Sequence, residues 1–115
     1  MFLDITKSVE IIEVMENYIS RVRPPQEIRN QVDLAYEIED QSIILSEIRP
    51  ALPDPDRIIT RGYAKATFVH QQNIWKLYWK RADNKWHLYK PSPEADCLED
   101  ILKIVDEDKH FCFKG

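Results

Sequence analysis

Glycine is nearly absent: Gly62 and Gly115 are the only two in 115 residues. That scarcity excludes a glycine-rich loop able to cradle phosphates, which needs several backbone positions without a Cβ, and it excludes a flexible low-complexity tract. No apolar run approaches the roughly 20 residues that cross a bilayer as a helix. The opening Met-Phe-Leu-Asp-Ile-Thr also lacks the basic-then-apolar layout of a secretory signal. A cytoplasmic protein with no membrane partner is therefore expected. Cysteine is scarce too, and Cys97 and Cys112 are expected to be reduced packing residues. Neither Cys-x-x-Cys nor His-x-x-x-His spacing links Cys97, Cys112, His70, His87 and His110, so no metal site is expected. Ser46 and Cys97 have no recognisable histidine partner for nucleophilic catalysis, and no cofactor motif is present.

What remains is ordinary globular material. Hydrophobic residues make up 43% and charged residues 31%, and the length suits one domain spanning residues 1–115 with one core. The net charge of −4 hides an uneven distribution. Residues 1–60 carry twelve acidic and six basic side chains, residues 61–90 seven basic and one acidic, and residues 91–115 three basic and seven acidic. An acidic chain thus has a basic centre, which bears on partners and not on fold.

Along the chain, Ile5, Val9, Ile12, Met15, Tyr18, Ile19 and Val22 recur at spacings of three and four and predict an amphipathic helix with one buried stripe. Pro24-Pro25 stop it. Val32, Leu34, Tyr36 and Ile38 alternate with Asp33, Ala35 and Glu37 as in a strand with one wet face, and Ser42–Arg49 returns after the polar Glu39-Asp40-Gln41 turn. In that second strand Ile44, Ser46 and Ile48 compete with Ile43 and Leu45 for the inward face. Pro50, Pro53 and Pro55 predict a loop of about a dozen residues from Pro50 to Arg61. A third strand, Tyr63–His70, leads through Gln71-Gln72-Asn73 into the aromatic stretch Ile74–Lys90.

That stretch holds all three tryptophans and predicts a hairpin turning near Asp83-Asn84. Such a turn places Trp75, Leu77, Trp79, Trp86 and Leu88 on a core face. Lys76, Tyr78, Lys80, Lys85, His87 and Tyr89 then share the opposite one. After Pro91-Ser92-Pro93, Leu98, Ile101, Leu102 and Val105 predict a second amphipathic helix starting at Ser92 or Asp96. Asp106-Glu107-Asp108 lies at its C-terminal end, where negative charge opposes the helix dipole, so this cluster is expected to have another role. Phe111 and Phe113 are expected to dock as an edge strand or a plug. The fold expected is α+β: an N-terminal helix, a five-stranded antiparallel meander sheet and a C-terminal helix, with both helices on one face of the sheet.

Arg23-Pro24-Pro25 with Ile28-Arg29, then Glu47-Ile48-Arg49-Pro50, Ala64-Lys65-Ala66, Trp75-Lys76-Leu77-Tyr78-Trp79-Lys80-Arg81, Lys85-Trp86-His87-Leu88-Tyr89 and Phe113-Lys114-Gly115 carry a family resemblance. Together they resemble the bacterial family named domain of unknown function 3024, from about Arg23 to the end of the chain. The resemblance implies that these motifs are parts of one unit. It implies no activity, cofactor or partner.

Two constellations suggest function. Lys65, Lys76, Lys80, Lys85 and His87 can neutralise phosphates while Tyr78 and Tyr89 offer rings for unpaired bases, as in sheet-surface binders of single strands. The competing reading is a solvated sheet face dressed with Lys, Tyr and Thr. Glu47, Arg49 and Lys65, joined by Glu37, Glu39 or Asp40, form the second: a carboxylate and an ammonium facing each other would suit a metal-dependent nuclease or hydrolase. A cross-strand ion pair accounts for the same residues. The leading expectation is a non-enzymatic binding or regulatory module meeting nucleic acid or a protein partner through the basic-aromatic face and the Pro50–Arg61 loop. The alternatives are that hydrolase and a protein-interaction module, inhibitor-like or homodimeric.

Overall fold

A chain with one internal glycine must fill its left-handed corners with other residues, and this one uses Asp and Asn, whose short polar side chains tolerate that region best. In the computed structural model, which describes residues 4–51 and 53–113, Asp40, Asn73, Asn84 and Asp108 have positive φ, and Phe111 is the fifth such residue. Each of the first four ends or turns an element.

Helix α1 spans Ile5–Val22. Asp4 caps it by accepting the Lys7 N–H at 2.7 Å, and Arg23-Pro24-Pro25 end it in extended backbone. A 3₁₀ turn at Gln26–Ile28 leads into β1, Asp33–Glu39. The sheet continues with β2 (Ser42–Pro50), β3 (Ile58–Val69), β4 (Ile74–Lys80) and β5 (Trp86–Leu88), paired antiparallel in chain order. A sixth strand, β6 (Glu94–Ala95), pairs with β4 beyond the end of β5. Helix α2, Leu98–Glu107, closes the fold. The architecture is α+β with a meander sheet, as the alternation predicts. Two-residue β6 follows Pro93 and shows no periodicity, and α2 starts at Leu98, later than Ser92 or Asp96.

One hydrophobic cluster joins the elements. Ile11, Met15 and Tyr18 of α1 and Leu98, Ile101, Leu102 and Val105 of α2 share it with Leu34, Ile43, Leu45, Ala64, Ala66, Phe68, Trp75 and Leu77 of the sheet. Directly opposed residues of antiparallel strands lie on the same face. The register Ile43↔Ala66↔Leu77 and Leu45↔Ala64↔Trp79 therefore makes Ile43 and Leu45 the inward pair of β2. Ile44 is buried as well, on the other face, so a pattern reading of β2 finds no dry side and wet side to tell apart.

Three features depart from the sequence expectations. The first half of the predicted α1 stripe faces solvent: Ile5, Val9 and Ile12 are 85%, 56% and 45% exposed, whereas Ile11, Met15 and Tyr18 are buried. Two apolar stripes run along this helix, and the Tyr18 hydroxyl donating to Asp106 at 2.6 Å, with Tyr36 donating to Glu16 at 2.6 Å, sets the rotation. Second, the proline-rich loop shrinks to residues 51–57. Arg49 pairs with Ile59 and Pro50 with Ile58, and the Ala51 N–H, donating to the Arg57 carbonyl at 2.8 Å, carries the ladder past the proline. Third, β3 carries a bulge at Tyr63: Leu45 pairs with Ala64 and Ser46 with Gly62, so Tyr63 is extra and buries its ring.

The acidic end of α2 has the role its unfavourable dipole position suggests. Asp106 accepts from Tyr18 and lies 3.7 Å from Arg21, joining α2 to α1. Asp108 takes the left-handed cap and its carboxylate accepts the Phe113 N–H at 3.1 Å. Phe113 is buried, its ring centroid 4.9 Å from that of Tyr89, so the tail plugs the core through Phe113 without forming a strand. Lys114 and Gly115, the end of the closing motif, lie outside the described residues.

At the far end of α1, Arg23 grips Asp33 at 3.1 Å and 2.5 Å through Nε and Nη2. That fork, followed by the Leu34 N–H, holds the Asp33 carboxyl below the ordinary carboxylate range. A depressed folded-state value contributes stability above the unfolded pKa of about 3.9, and that contribution disappears as pH falls through the lower folded value. Asp33→Asn should therefore reduce the loss of Tm between about pH 5 and about pH 2, and an unchanged acid limb would refute the assignment. For the helix rotation, Met15→Ala should lose about 2–5 kcal/mol in urea denaturation, and Val9→Ala should stay within about 0.5 kcal/mol. Equal losses would contradict it.

Candidate nucleic-acid interface

The hairpin β4–β5 decides what the second sheet face carries. Between Arg81 and Lys85 lie three residues, Ala82, Asp83 and Asn84. The Asn84 N–H donates to the Arg81 carbonyl at 2.8 Å, Asn84 sits at φ 64°, and the Arg81 N–H reaches the Lys85 carbonyl at 3.2 Å. This is a type I turn followed by a left-handed residue, the usual three-residue hairpin. Asp83 braces it by accepting the Lys85 N–H at 3.0 Å. The resulting register is Tyr78↔Leu88, Trp79↔His87 and Lys80↔Trp86. It differs by one residue from a two-residue turn at Asp83-Asn84, and a one-residue slip moves every side chain of the returning strand to the other face.

Three sequence assignments change accordingly. Trp86 and Leu88, expected in the core, stand on the second face beside Lys80 and Tyr78. His87, expected on that face, lies with Trp79 on the opposite one, its Nε2 2.8 Å from the Asp83 carboxylate. Tyr89, expected beside the lysines, is 2% exposed against Phe113, and burial raises its phenol pKa. Lys85 lies in the exposed turn. Lys65, Lys76, Tyr78 and Lys80 do share one face. Two rows cross it: Glu37, Ile44, Lys65, Tyr78 and Leu88 in one, and Glu39, Ser42, Thr67, Lys76 and Glu94 in the other. Ser42 and Thr67 hydroxyls meet at 2.7 Å.

Trp86 completes the face. Its ring lies against Gly62, where a Cβ would stand 3.3 Å from Trp86 Cζ2 and 3.1 Å from Ile44 Cγ2, and Lys80 Nζ is 5.0 Å from the ring centroid. The one internal glycine is therefore where a side chain from β5 crosses β3. A concavity of about 470 Å³ opens there, lined by Ser42, Lys65, Thr67, Tyr78 and Trp86 with Glu39, Asp40 and Gln41 at its rim. Among the described residues, Lys65, Lys76 and Lys80 take part in no ion pair. The isolated Gly62 was the sequence signal that a bulky group approaches β3, although the sequence does not say which one.

The second constellation does not assemble. Lys65 pairs with Ile44, whereas Glu47 lies in register with Leu34 and Arg61, two residues along from Leu45. Glu47 and Lys65 are thus on opposite faces, and Glu47 is paired with Arg49. Glu37 and Glu39 belong to the Lys65 face and Asp40 to the β1–β2 turn, away from Glu47. Among the described residues, no three His, Cys, Asp or Glu side chains converge in a set able to hold a metal ion, and no helix is long and apolar enough to cross a membrane.

The elements define a two-helix α+β domain on an antiparallel meander, one face of which is lysine-rich and aromatic. The model of the family described as domain of unknown function (DUF3024) matches residues 4–115, and the chain belongs to that family. The match takes in α1 as well as the motifs from Arg23 onward. No curated protein and no solved structure matches the chain.

The crossing of Trp86 over Gly62 is testable. Gly62→Val should push the indole off the sheet, making tryptophan emission more accessible to acrylamide and lowering stability by about 1–3 kcal/mol. Unchanged quenching and stability would mean that Trp86 does not rest there.

Proposed function

We propose that this domain is a non-enzymatic binding module that takes single-stranded nucleic acid on the β2–β5 face. The observation carrying this reading is the combination of three lysines free of ion pairs among the described residues, Lys65, Lys76 and Lys80, with two rings, Tyr78 and Trp86, on one sheet surface. Single strands are held by cations that track phosphates and by rings on which bases stack, and a sheet presents both at regular spacing. Trp86 strengthens this reading, because indole gives a base the largest stacking surface of any side chain. The face also has limits. Glu37 and Glu39 on β1 and Glu94 on β6 flank the two rows, so phosphates are confined to the β3–β5 strip between them.

Anisotropy of a labelled oligonucleotide at low salt tests the reading. The wild-type protein should bind with affinity falling as salt rises, at a log–log slope near about −2 for three phosphate contacts on a single strand. Lys76→Glu with Lys80→Glu should abolish binding, and Trp86→Ala should weaken it by about 1–3 kcal/mol with little change in slope. Absence of wild-type binding at low salt would reject the proposal.

A further inference from the structure

A second concavity lies beside the C-terminal tail, where the β2–β3 hairpin extends past the bulge. It encloses about 370 Å³ and is lined by Glu47, Arg49, Ile59, Arg61, Cys112 and the rings of Phe111 and Phe113. Its floor follows from register: Arg61 is the direct partner of Glu47 and Ile59 of Arg49. The wall is tied down, since the Phe111 N–H donates to the Asp108 carbonyl at 3.0 Å and the Phe113 N–H to the Asp108 carboxylate.

Among the described lining residues the charge does not balance. Two guanidiniums face one carboxylate; Arg49 is paired with Glu47 through Nη2, and Arg61 takes part in no ion pair among the described residues. Next to them Phe111 is 75% exposed and held at φ 55°. The other positive-φ residues are Asp or Asn, which adopt that region readily. A bulky aromatic residue there is a real outlier, and an observed outlier is grounds for seeking a functional cause. A large ring fixed in solvent beside an unmatched guanidinium provides an apolar wall and an anion-binding fork at once.

We infer that this cavity binds a small monoanionic carboxylate with a flat apolar body. Arg61, with the remaining donors of Arg49, engages the carboxylate, while Phe111, Phe113 and Ile59 cover the body. The class follows from charge and shape: one excess positive charge matches a single negative one, and the planar guanidinium fork matches a planar carboxylate. Glu47 disfavours a dianion. This site is on the opposite sheet face from Lys65 and does not depend on the nucleic-acid reading.

Benzoate is the probe, with phenyl phosphate and benzamidine as comparisons. Cys112 lines the cavity and Cys97 does not, so alkylation by iodoacetamide, read peptide by peptide by mass spectrometry, reports the site. Benzoate should protect Cys112 saturably and leave Cys97 unaffected, and benzamidine should protect neither. Arg61→Gln should weaken protection by about tenfold or more, the loss expected for a charge-assisted contact, and Phe111→Ser should weaken it as well. Lys76→Glu with Lys80→Glu should leave it intact. The site is refuted if benzoate gives no saturable protection of Cys112 or if Arg61→Gln protects as well as wild type. Equal or tighter binding of phenyl phosphate would overturn the assignment to monoanionic carboxylates.

Discussion

The turn at Ala82–Asn84 is the constraint on which the character of the sheet depends. With three residues between Arg81 and Lys85 and Asn84 left-handed, β5 returns in the register that sets Trp86 opposite Lys80 and His87 opposite Trp79. Everything on the second face follows from that parity. Trp86 reaches across to β3, which requires Gly62, and covers Ile44, which is therefore buried on a face where a solvated residue would be ordinary. A two-residue turn would have sent Trp86 into a core already filled by Trp75 and Leu77 and left a histidine and a tyrosine beside the lysines. The asymmetry of the sheet, with aliphatic and tryptophan packing on one side and lysines, glutamates and two rings on the other, is thus a consequence of one extra loop residue.

The second organising element is acidic and lies at the C-terminal end of α2. Carboxylates at the C-terminus of a helix are disfavoured by a few tenths of a kcal/mol each, and α2 ends in three of them. Asp106 recovers this through the Tyr18 hydroxyl and proximity to Arg21, and Asp108 through the cap geometry and the Phe113 N–H. Burial, with the hydrogen bond to Asp106 next, raises the Tyr18 phenol pKa, so this phenol stays a donor throughout the neutral range. These contacts position α1 against α2 and press Phe113 onto Tyr89. They also account for Tyr89 leaving the surface: the tail needs an aromatic partner, and the bend after Leu88 supplies one.

Periodicity made the helices and first four strands legible, because burying one stripe or one face leaves a repeat that the residues themselves display. It could not resolve cases where two patterns coexist. In helix α1 the predicted stripe holds from Met15 through Tyr18, Ile19 and Val22 but not before it, where Ile11 is buried while Ile5, Val9 and Ile12 are exposed, and contacts with the distant residues Asp106 and Tyr36 accompany that rotation. Strand β2 is buried on both faces, so its parity carried no information. The proline density around Pro50–Pro55 suggested a long loop, yet Pro50 and Ile58 pair because a strand can end on a proline whose missing N–H the next residue replaces. In the candidate interface, Lys65, Lys76, Tyr78 and Lys80 were legible from β4 and its neighbour β3 alone. Trp86, His87 and Tyr89 depended on the length of a turn whose Asp-Asn sequence fits both a two-residue and a three-residue loop.

A basic face on an acidic protein raises a question of range. At physiological ionic strength charges are screened over about 8 Å, so carboxylates farther away than that act weakly on an anion seated over β4. Lys65, Lys76 and Lys80 act at the centre of the face, and Glu37, Glu39 and Glu94 stand at the ends of the two rows. A polyanion approaching from a distance nevertheless meets a molecule of net charge −4, which gives little long-range steering and slows encounter. Affinity in such a case must come from contacts made after arrival. Under the proposed function those contacts would be short and partly apolar: the indole of Trp86, the phenol of Tyr78 and the Ser42–Thr67 hydroxyl pair. Under the proposed function, such a surface would discriminate an unpaired base from a duplex more effectively than one charged polymer from another, because a stacked duplex offers no free ring faces to Trp86 and Tyr78.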